Sequence, residues 1–282
     1  MSEVIACANQ KGGVGKTTTV VNVASFLALD GYRVLLVDMD PQGNATSGVG
    51  IDKDARESSV YDVLLDGMDA GAAILDTDLE RLAVLPSNRG LAGAEVELVP
   101  KSRRERRLKQ ALDEVRDHYD FILLDCPPSL GLLTVNALTA ADSVLIPLQC
   151  EYYALEGLEQ LLATIDLIRD HLNPGLELKG VVLTMHDGRT SLSADVSAEV
   201  RQHLGRQVFD AIVPRSVRLA EAPSYGLPIS RYSPNSRGAE AYQSVAAELL
   251  SRSGLTPGPI LAESRARYQS AQTDREVEAA SR

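Results

Sequence analysis

The residues with the clearest chemistry form a glycine-rich run near the N-terminus, Lys11-Gly-Gly-Val-Gly-Lys-Thr-Thr18, which follows a strand-like segment and opens a helical pattern. Glycine lets the backbone adopt conformations closed to larger residues, so that amide N–H groups can converge on phosphate oxygens. Lys16 supplies a charge to the β- and γ-phosphates, and the Thr17 hydroxyl is placed to bind Mg²⁺. A glycine turn with a solvated lysine is the alternative. The predicted nucleotide-binding residues are Lys11, Gly12, Gly13, Val14, Gly15, Lys16, Thr17 and Thr18.

Three aspartates stand where apolar runs end. Asp38 and Asp40 close the second run, and carboxylates two apart on a strand point to the same face. Asp125 closes Phe121-Ile-Leu-Leu-Asp125, a buried strand followed by an acid. This pattern, downstream of a phosphate loop, predicts that Asp125 lies near Mg²⁺. Because Pro41 follows it, Asp40 is also a candidate turn starter.

The elements that must position these residues alternate along the chain. The predicted strands are apolar almost throughout, as in a sheet buried on both faces: Val4–Ala8, Arg33–Val37, Leu82–Leu85, Phe121–Leu124, Ser143–Leu148 and Leu178–Thr184. The predicted helices are amphipathic: Thr17–Leu29, Arg104–His118, Leu132–Ala141, Leu155–His171, Ser193–Leu204 and Gly238–Leu250. This alternation predicts an α/β fold, a mostly parallel twisted sheet with helices on both faces. Ligands of such sheets bind beyond the carboxyl ends of the strands.

Two segments interrupt this rhythm. Residues 44–80 are rich in Gly and Asp and predict an excursion with one short helix near Val60–Leu65. After Leu250, a cluster of Ser, Gly and Pro ends the pattern, and few large apolar residues follow. We therefore expect a nucleotide-binding domain over residues 1–251 and a flexible or partly helical tail over residues 252–282.

Composition restricts the possible classes further. The chain has 282 residues and 30.3 kDa, and 28 basic minus 39 acidic residues give a net charge of −11. Hydrophobic residues at 44% exclude wholesale disorder, and no apolar run is long enough to span a membrane. The N-terminus lacks the basic segment of a signal peptide, so we expect none. Cys7, Cys126 and Cys150 form no CxxC pair, which favours small buried side chains in a reducing compartment.

The glycine run departs from the plain phosphate-loop pattern because Lys11 precedes its double glycine. In this it resembles the deviant Walker A motif of the ParA/MinD family of P-loop ATPases. The resemblance extends from about Val4 to Leu250 and implies a weak ATPase that uses ATP and Mg²⁺. In that family the residue matching Lys11 reaches the nucleotide of a partner subunit across an ATP-bound homodimer. Contact within its own chain, or exposure to solvent, is the alternative for Lys11.

Two further segments match family motifs and imply roles. The segment from Asp38 to Asn44 is similar to the A′ motif, in which Asp40 polarises the attacking water and Asp38 supports the Mg²⁺ shell. Lys11, Lys16 and Asp40 are therefore the implied catalytic residues, and Thr17, Asp38 and Asp125 are the implied metal-site residues. Asp125 with the following Cys-Pro-Pro-Ser is similar to the family's Walker B segment.

Three stretches resemble the chromosomal ParA (Soj) branch: residues 38–46, 183–190 and 214–226. That branch binds DNA without sequence preference as an ATP-bound dimer and works with a ParB protein. The resemblance implies DNA contacts by Arg189 and Arg218, and contact of the adenine by Pro214 and Arg215. Salt bridges within the fold are the alternative for the arginines. The implied location is the cytoplasm, in association with the nucleoid.

Other functions of this fold make different demands. A MinD-like cell-division or other cargo-positioning ATPase is the main alternative, but membrane recruitment needs an amphipathic C-terminal helix that Ile260–Arg282 does not suggest. An iron–sulfur electron-transfer protein needs two cluster cysteines, and only Cys126 has a suitable context. A non-catalytic nucleotide-binding scaffold would not need Asp40 and Asp125.

Overall fold

The computed structural model describes residues 2–54, 58–152 and 154–262. Its strands are β1 (Glu3–Cys7), β2 (Val34–Asp38), β3 (Leu75–Asp76), β4 (Leu82–Leu85), β5 (Phe121–Asp125), β6 (Ser143–Gln149) and β7 (Glu177–Thr184). Its α-helices are α1 (Lys16–Leu29), α2 (Asn44–Gly48), α3 (Val60–Asp66), α4 (Ala70–Ala73), α5 (Leu91–Glu97), α6 (Arg107–Asp113), α7 (Leu132–Ala140), α8 (Ala154–His171), α9 (Ser191–Leu204), α10 (Val217–Glu221), α11 (Ile229–Tyr232) and α12 (Arg237–Arg252).

The seven strands form one sheet in the order β3-β4-β2-β5-β1-β6-β7. All neighbours are parallel except β3, which pairs antiparallel with β4 at the edge. The predicted α/β class is confirmed, and all six predicted strands are present within two residues of their expected ends. Two-residue β3 was not predicted because so short a strand has no readable periodicity.

Both faces of the sheet are buried, as the apolar strands indicated. Along β1, Ile5 and Cys7 pack into the hydrophobic cluster that contains α1 and α12. Val4 and Ala6 pack into the other cluster, with α7 and α8. Because successive side chains of a strand point to opposite faces, each strand needs apolar residues at both parities. The alternating amphipathic helices supply the two covering layers.

The prediction of one helix in residues 44–80 was wrong, since α2, α3 and α4 all lie there. The five residues of α2 are too few for a periodic pattern. Its position depends instead on Asp38, whose carboxylate accepts hydrogen bonds from both the backbone N–H and the hydroxyl of Thr46 at 2.7 Å. A side chain at the end of β2 therefore fixes a helix that local sequence does not announce.

The helix predicted over Arg104–His118 is shorter than expected and is split into α6 and a 3₁₀ turn, Arg116–His118. Basic residues before α6 and at its first position are used as hydrogen-bond donors within the fold. Arg107 donates to the carbonyl of Leu64 at 2.6 Å, and Lys101 donates to that of Leu65. These carbonyls lie in the last turn of α3, where cations are favoured.

The folded body continues beyond residue 251. Arg252 is the last residue of α12, and its guanidinium donates to the carbonyl of Val208 at 2.9 Å and lies 4.0 Å from the Phe209 ring centre. Further along, Gly258 N donates to the Asp30 carboxylate at 2.7 Å, and Leu261 is fully buried. Residues 263–282 of the predicted tail lie outside the described residues.

We therefore expect two truncations to differ in stability. A chain ending at Ser251 loses the Arg252 contacts and the buried Leu261, and its free energy of unfolding should fall by at least about 3 kcal/mol. A chain ending at Ala262 keeps these contacts and should therefore be more stable than the chain ending at Ser251 by about the same amount. Urea unfolding followed by circular dichroism measures both. Equal stability of the two truncated chains would contradict this extension of the domain.

Candidate active site

The loop between β1 and α1 has the backbone that a phosphate site requires. Gly13 and Gly15 have φ of 75° and 90°, a left-handed region that residues with a Cβ rarely adopt. Helix α1 begins at Lys16 directly after Gly15, and no side chain of the described residues caps this end. Its first N–H groups and its positive dipole end can therefore serve an anion.

Two side chains outside the glycine run hold this loop in place. Asn9 donates from Nδ2 to the carbonyl of Pro147 at 2.8 Å and accepts from the backbone N–H of Lys11 at 3.0 Å. Thr184, at the end of β7, donates its hydroxyl to the carbonyl of Val14 at 2.8 Å. Neither residue was predicted. Their only sequence signal is their position at or just beyond the ends of β1 and β7.

The two lysines of the loop have different environments. Lys16 is only 6% exposed, and its ammonium donates to the carbonyl of Lys11 at 3.0 Å, within the same loop. Lys11 is exposed and forms an ion pair with Glu151, just beyond β6. In this structure Lys11 thus makes a contact within its own chain. Reach into a partner subunit stays a prediction.

Two acidic side chains lie side by side at the carboxyl edge of the sheet. Asp38 ends β2 and Asp125 ends β5, and the register of these parallel strands places them opposite each other. Both are fully buried. Burial raises the pKa of Asp38 to about 6, although its hydrogen bonds with Thr46 act in the opposite direction. Burial, followed by repulsion from Asp38, raises the pKa of Asp125 well above its usual value. The pair therefore favours a compensating positive charge.

The two carboxylates differ in their hydrogen bonds. Asp38 accepts from Thr46 through Oδ2 and from the backbone N–H of Asp40 through Oδ1 at 3.1 Å. In this geometry Asp38 organises the loop after β2, and a role in the metal shell stays a prediction. By contrast, neither buried oxygen of Asp125 accepts a hydrogen bond of normal geometry from the described residues, although the Thr17 hydroxyl lies near enough to oppose the rise in its pKa. An acid left in this state is suited to a cation.

The contacts of Asp40 fit a role in a turn and leave one carboxylate oxygen for a catalytic role. Its Oδ1 accepts from the backbone N–H of Gln42 at 2.9 Å, which is the turn that the following proline suggested. Its backbone carbonyl accepts from the Ser87 hydroxyl at 2.7 Å and from Gly43 N at 2.9 Å. The side chain is therefore held firmly, and no direct hydrogen bond from the described residues reaches Oδ2.

A cleft of about 410 Å³ opens beside the C-terminal side of the phosphate loop. Thr17, Thr18, α2 and the segment from Leu219 to Leu227 line it. Pro214 and Arg215 are not among its lining residues, so their contact with adenine stays a prediction. Several lining residues were not predicted from the sequence as nucleotide-binding residues, although some of them lie in the stretch 214–226. They are Val21, Asn22, Asn44, Ser47, Gly48, Leu219, Ala222, Pro223, Ser224 and Leu227.

The loops that carry the predicted DNA-binding arginines are neighbours. His186, just beyond β7, forms an isolated bridge with Pro214, and Arg215 N donates to the His186 carbonyl at 3.0 Å. Arg189 pairs with Asp187 at 2.7 Å, and its side chain is 88% exposed. Its hydrogen bonds lower the pKa of Asp187 well below the usual range.

Arg218 pairs with Glu221 at 3.0 Å and is 60% exposed. The intrachain salt bridges left open as an alternative therefore exist for both Arg189 and Arg218. Exposed pairs of this kind are weak, so these guanidinium groups can still meet an outside phosphate.

The interpretation of the cysteines as small buried side chains is confirmed. Cys7, Cys126 and Cys150 are all free and buried. Burial raises the pKa of all three thiols, to about 11 for Cys150. Their thiols are therefore protonated near neutral pH and poor nucleophiles.

A glycine loop after the central strand β1, an uncapped α1 and Asp125 at the end of β5 define a P-loop nucleotide-binding protein of the deviant Walker A type. The family described as AAA domain matches residues 2–178. The chain is 58% identical to the sporulation initiation inhibitor protein Soj of Bacillus subtilis over 88% of its own length and 98% of that protein. This chain therefore belongs to the ParA/MinD family of P-loop ATPases, in the group that contains Soj and ParA.

Other comparisons agree on family and fold. The chromosome partitioning protein ParA of Caulobacter vibrioides is 51% identical over 88% of this chain and 94% of that protein. A crystal structure described as cobyrinic acid a,c-diamide synthase of Mycobacterium smegmatis, with bound ADP and magnesium, is 41% identical. It superposes with a TM-score of 0.79 over 92% of this chain and 98% of that chain. Within the parts of the chain that the structure describes, no helix combines the length and apolar character that a membrane crossing requires.

Proposed function

We propose that this chain is an ATP-dependent DNA-partitioning ATPase that dimerises on ATP, binds DNA without sequence preference and is switched off by ParB-stimulated hydrolysis. The observation that carries the proposal is the 58% identity to Soj across nearly the whole chain, together with an intact phosphate loop and acidic edge. We place the protein in the cytoplasm, on the nucleoid.

ATP binding is assigned to the loop and the uncapped end of α1. The N–H groups at this end donate hydrogen bonds to the phosphate oxygens, and Lys16 adds a buried positive charge. The cleft beside Thr18 offers room for the nucleoside. Its lining combines apolar groups such as Leu219 with polar ones such as Asn44, which suits a flat base attached to a sugar.

The residues present fit a Mg²⁺ ion. Asp125 has two buried carboxylate oxygens without direct partners in the described residues, and the hydroxyl of Thr17 is close enough to oppose the rise in its pKa. Thr17 and Asp125 would hold the ion, with Asp38 beside them. Mg²⁺ would supply charge that offsets the β- and γ-phosphates. Among the residues that the structure describes, no group of three or more His, Cys, Asp or Glu side chains is arranged to bind a metal ion.

Hydrolysis is assigned to Asp40, whose position is fixed by the turn to Gln42 and by Ser87. Its Oδ2 can accept a proton from, or orient, the water that attacks the γ-phosphate. Loss of the γ-phosphate removes the charge that two Lys11 side chains neutralise across the dimer, so the subunits separate. Low basal turnover follows if closure of the dimer and a ParB partner complete the geometry.

DNA binding is assigned to Arg189 and Arg218, with Arg215 nearby. Because the chain carries a net charge of −11, one subunit offers only a local basic patch, and a dimer doubles it.

The decisive experiment measures DNA affinity without nucleotide, with ADP and with ATP, at two salt concentrations. Tight binding with ATP alone that weakens at high salt supports the proposal. Equal affinity in all three nucleotide states would contradict it.

Replacing Arg189 with glutamate should lower DNA affinity at least about 10-fold and leave ATP hydrolysis without DNA within about twofold. The reason is that this side chain is exposed and its only described ion pair is with Asp187. Arg237→Glu is the matched control, because Arg237 is exposed at the start of α12 and has no described ion pair. An unchanged gel shift for Arg189→Glu would remove Arg189 from the DNA site.

A MinD-like role stays the alternative function. Co-sedimentation with anionic lipid vesicles in the presence of ATP distinguishes the two roles, because a partitioning ATPase should remain in the supernatant. Vesicle binding that depends on ATP would favour the alternative.

A further inference from the structure

The backbone of Lys11 is fixed, so only its side chain is free to change partner. Its N–H donates to Asn9 Oδ1 at 3.0 Å, and its carbonyl accepts from the Lys16 ammonium at 3.0 Å. Asn9 in turn is tied to Pro147 near the end of β6. Any movement of the Lys11 charge toward another ligand must therefore come from rotation of its side chain.

The backbone of Glu151, the ion-pair partner of Lys11, is also fixed. Glu151 lies two residues beyond β6, its N–H donates to the carbonyl of Gln149 at 2.8 Å, and its own carbonyl accepts from Ala154 N at 2.9 Å, where α8 begins. In the described part of the chain, the ion pair of Glu151 is with Lys11, 140 residues away in sequence. The fold thus places one acid opposite the lysine that precedes the double glycine.

We propose that Glu151 is a positioning residue that holds Lys11 within its own subunit until dimer closure offers a stronger anion. This inference rests on the proposed function, because it assumes that Lys11 leaves for a partner's nucleotide. The side chains of Lys11 and Glu151 are 47% and 42% exposed. Solvent therefore screens the ion pair, and little free energy is needed to break it. A triphosphate carries several negative charges and outcompetes one carboxylate. This ion pair, which we call the Lys11–Glu151 latch, therefore opposes dimer closure without ATP. It breaks when the two nucleotides of a dimer come together.

The first test measures dimerisation with a non-hydrolysable ATP analogue by sedimentation. Glu151→Gln should tighten the dimer about threefold to fivefold, the range that an exposed ion pair can supply. Glu156→Gln on α8 removes the same charge from an exposed acid without a described ion pair, and it should have no effect. An unchanged or weaker Glu151→Gln dimer beside a normal wild-type dimer overturns the latch.

The second test needs no dimer and so separates the latch from the proposed function. In nucleotide-free protein, an amine-reactive reagent should label Lys11 about threefold to fivefold faster in Glu151→Gln than in wild type, as judged by mass spectrometry of the Lys11 peptide. Glu156→Gln should label like wild type. Equal Lys11 labelling in all three proteins overturns the latch even if ATP-driven dimers form. Faster labelling without any ATP-driven dimer would refute the proposed function and leave only the ion pair.

Discussion

Replacement of Lys16 by alanine is expected to weaken ATP binding at least about 100-fold, which corresponds to about 2.7 kcal/mol. Lys16 is 6% exposed, and its ammonium donates to a carbonyl of its own loop. A buried cation surrounded by N–H donors interacts strongly with phosphate because little water screens it. The measurement is isothermal titration with ATP and Mg²⁺, with circular dichroism to show that the variant is folded.

Lys11→Ala is the matched control for Lys16→Ala. Both changes remove one lysine from the same loop, but Lys11 is exposed and points to Glu151. Lys11→Ala should therefore bind ATP within about threefold of wild type, since the loss of an exposed ion pair changes little in the monomer. Normal ATP affinity in a folded Lys16→Ala protein would refute the phosphate-loop assignment. Equal loss in both variants would refute the separation of their roles.

What could be predicted from the sequence was set by local pattern. The strand that carries Asp125 was located because four apolar residues followed by an acid form one continuous signal. The phosphate loop was located because its glycines and Lys16 stand within a few residues of each other after a strand. In both cases the chemistry and the element that positions it are adjacent in sequence, so strand order and register do not have to be known.

What could not be predicted depends on contacts between distant segments. The place of α2 is set by the hydrogen bonds between Asp38 and Thr46. The ion-pair partner of Lys11 is Glu151, which follows β6, the strand next to β1 in the sheet. The packing of Leu261 after the Ser-Gly-Pro cluster was missed for the same reason. Composition alone suggested a tail there, because one buried leucine among polar residues leaves no periodic pattern.

The unpartnered oxygens of Asp125 show how such contacts change the interpretation of a motif. The sequence ranked Asp38 and Asp125 alike as metal-site residues. In the structure the two carboxylates differ in their unused acceptor sites. Asp38 already accepts three hydrogen bonds, whereas Asp125 accepts none of normal geometry from the described residues and has the Thr17 hydroxyl nearby. A buried carboxylate with so few donors is destabilising unless a cation or water also binds it. Asp125 is therefore the acid whose position itself argues for Mg²⁺.

Asp40→Ala and Asp40→Asn together are expected to separate chemistry from the turn. Both remove the carboxylate that we assign to the attacking water, and general base assistance contributes about 10²- to 10⁴-fold, so both should lower ATP turnover at least about 100-fold. Only alanine also removes the acceptor for Gln42 N, so only Asp40→Ala should lose about 0.5–1.5 kcal/mol of stability. ATP affinity should stay within about threefold in both variants.

If Asp40 serves the turn alone, the asparagine variant should hydrolyse ATP like wild type, since its side-chain oxygen can still accept from Gln42 N. Steady-state phosphate release measures turnover, and light scattering with ATP and DNA measures assembly. Since we propose that hydrolysis separates the subunits, the slow Asp40→Asn protein should accumulate as an ATP-loaded dimer on DNA. A fully active Asp40→Asn protein would assign Asp40 to the turn, and an inactive variant that stays monomeric with ATP would show that closure, rather than the water, depends on this carboxylate.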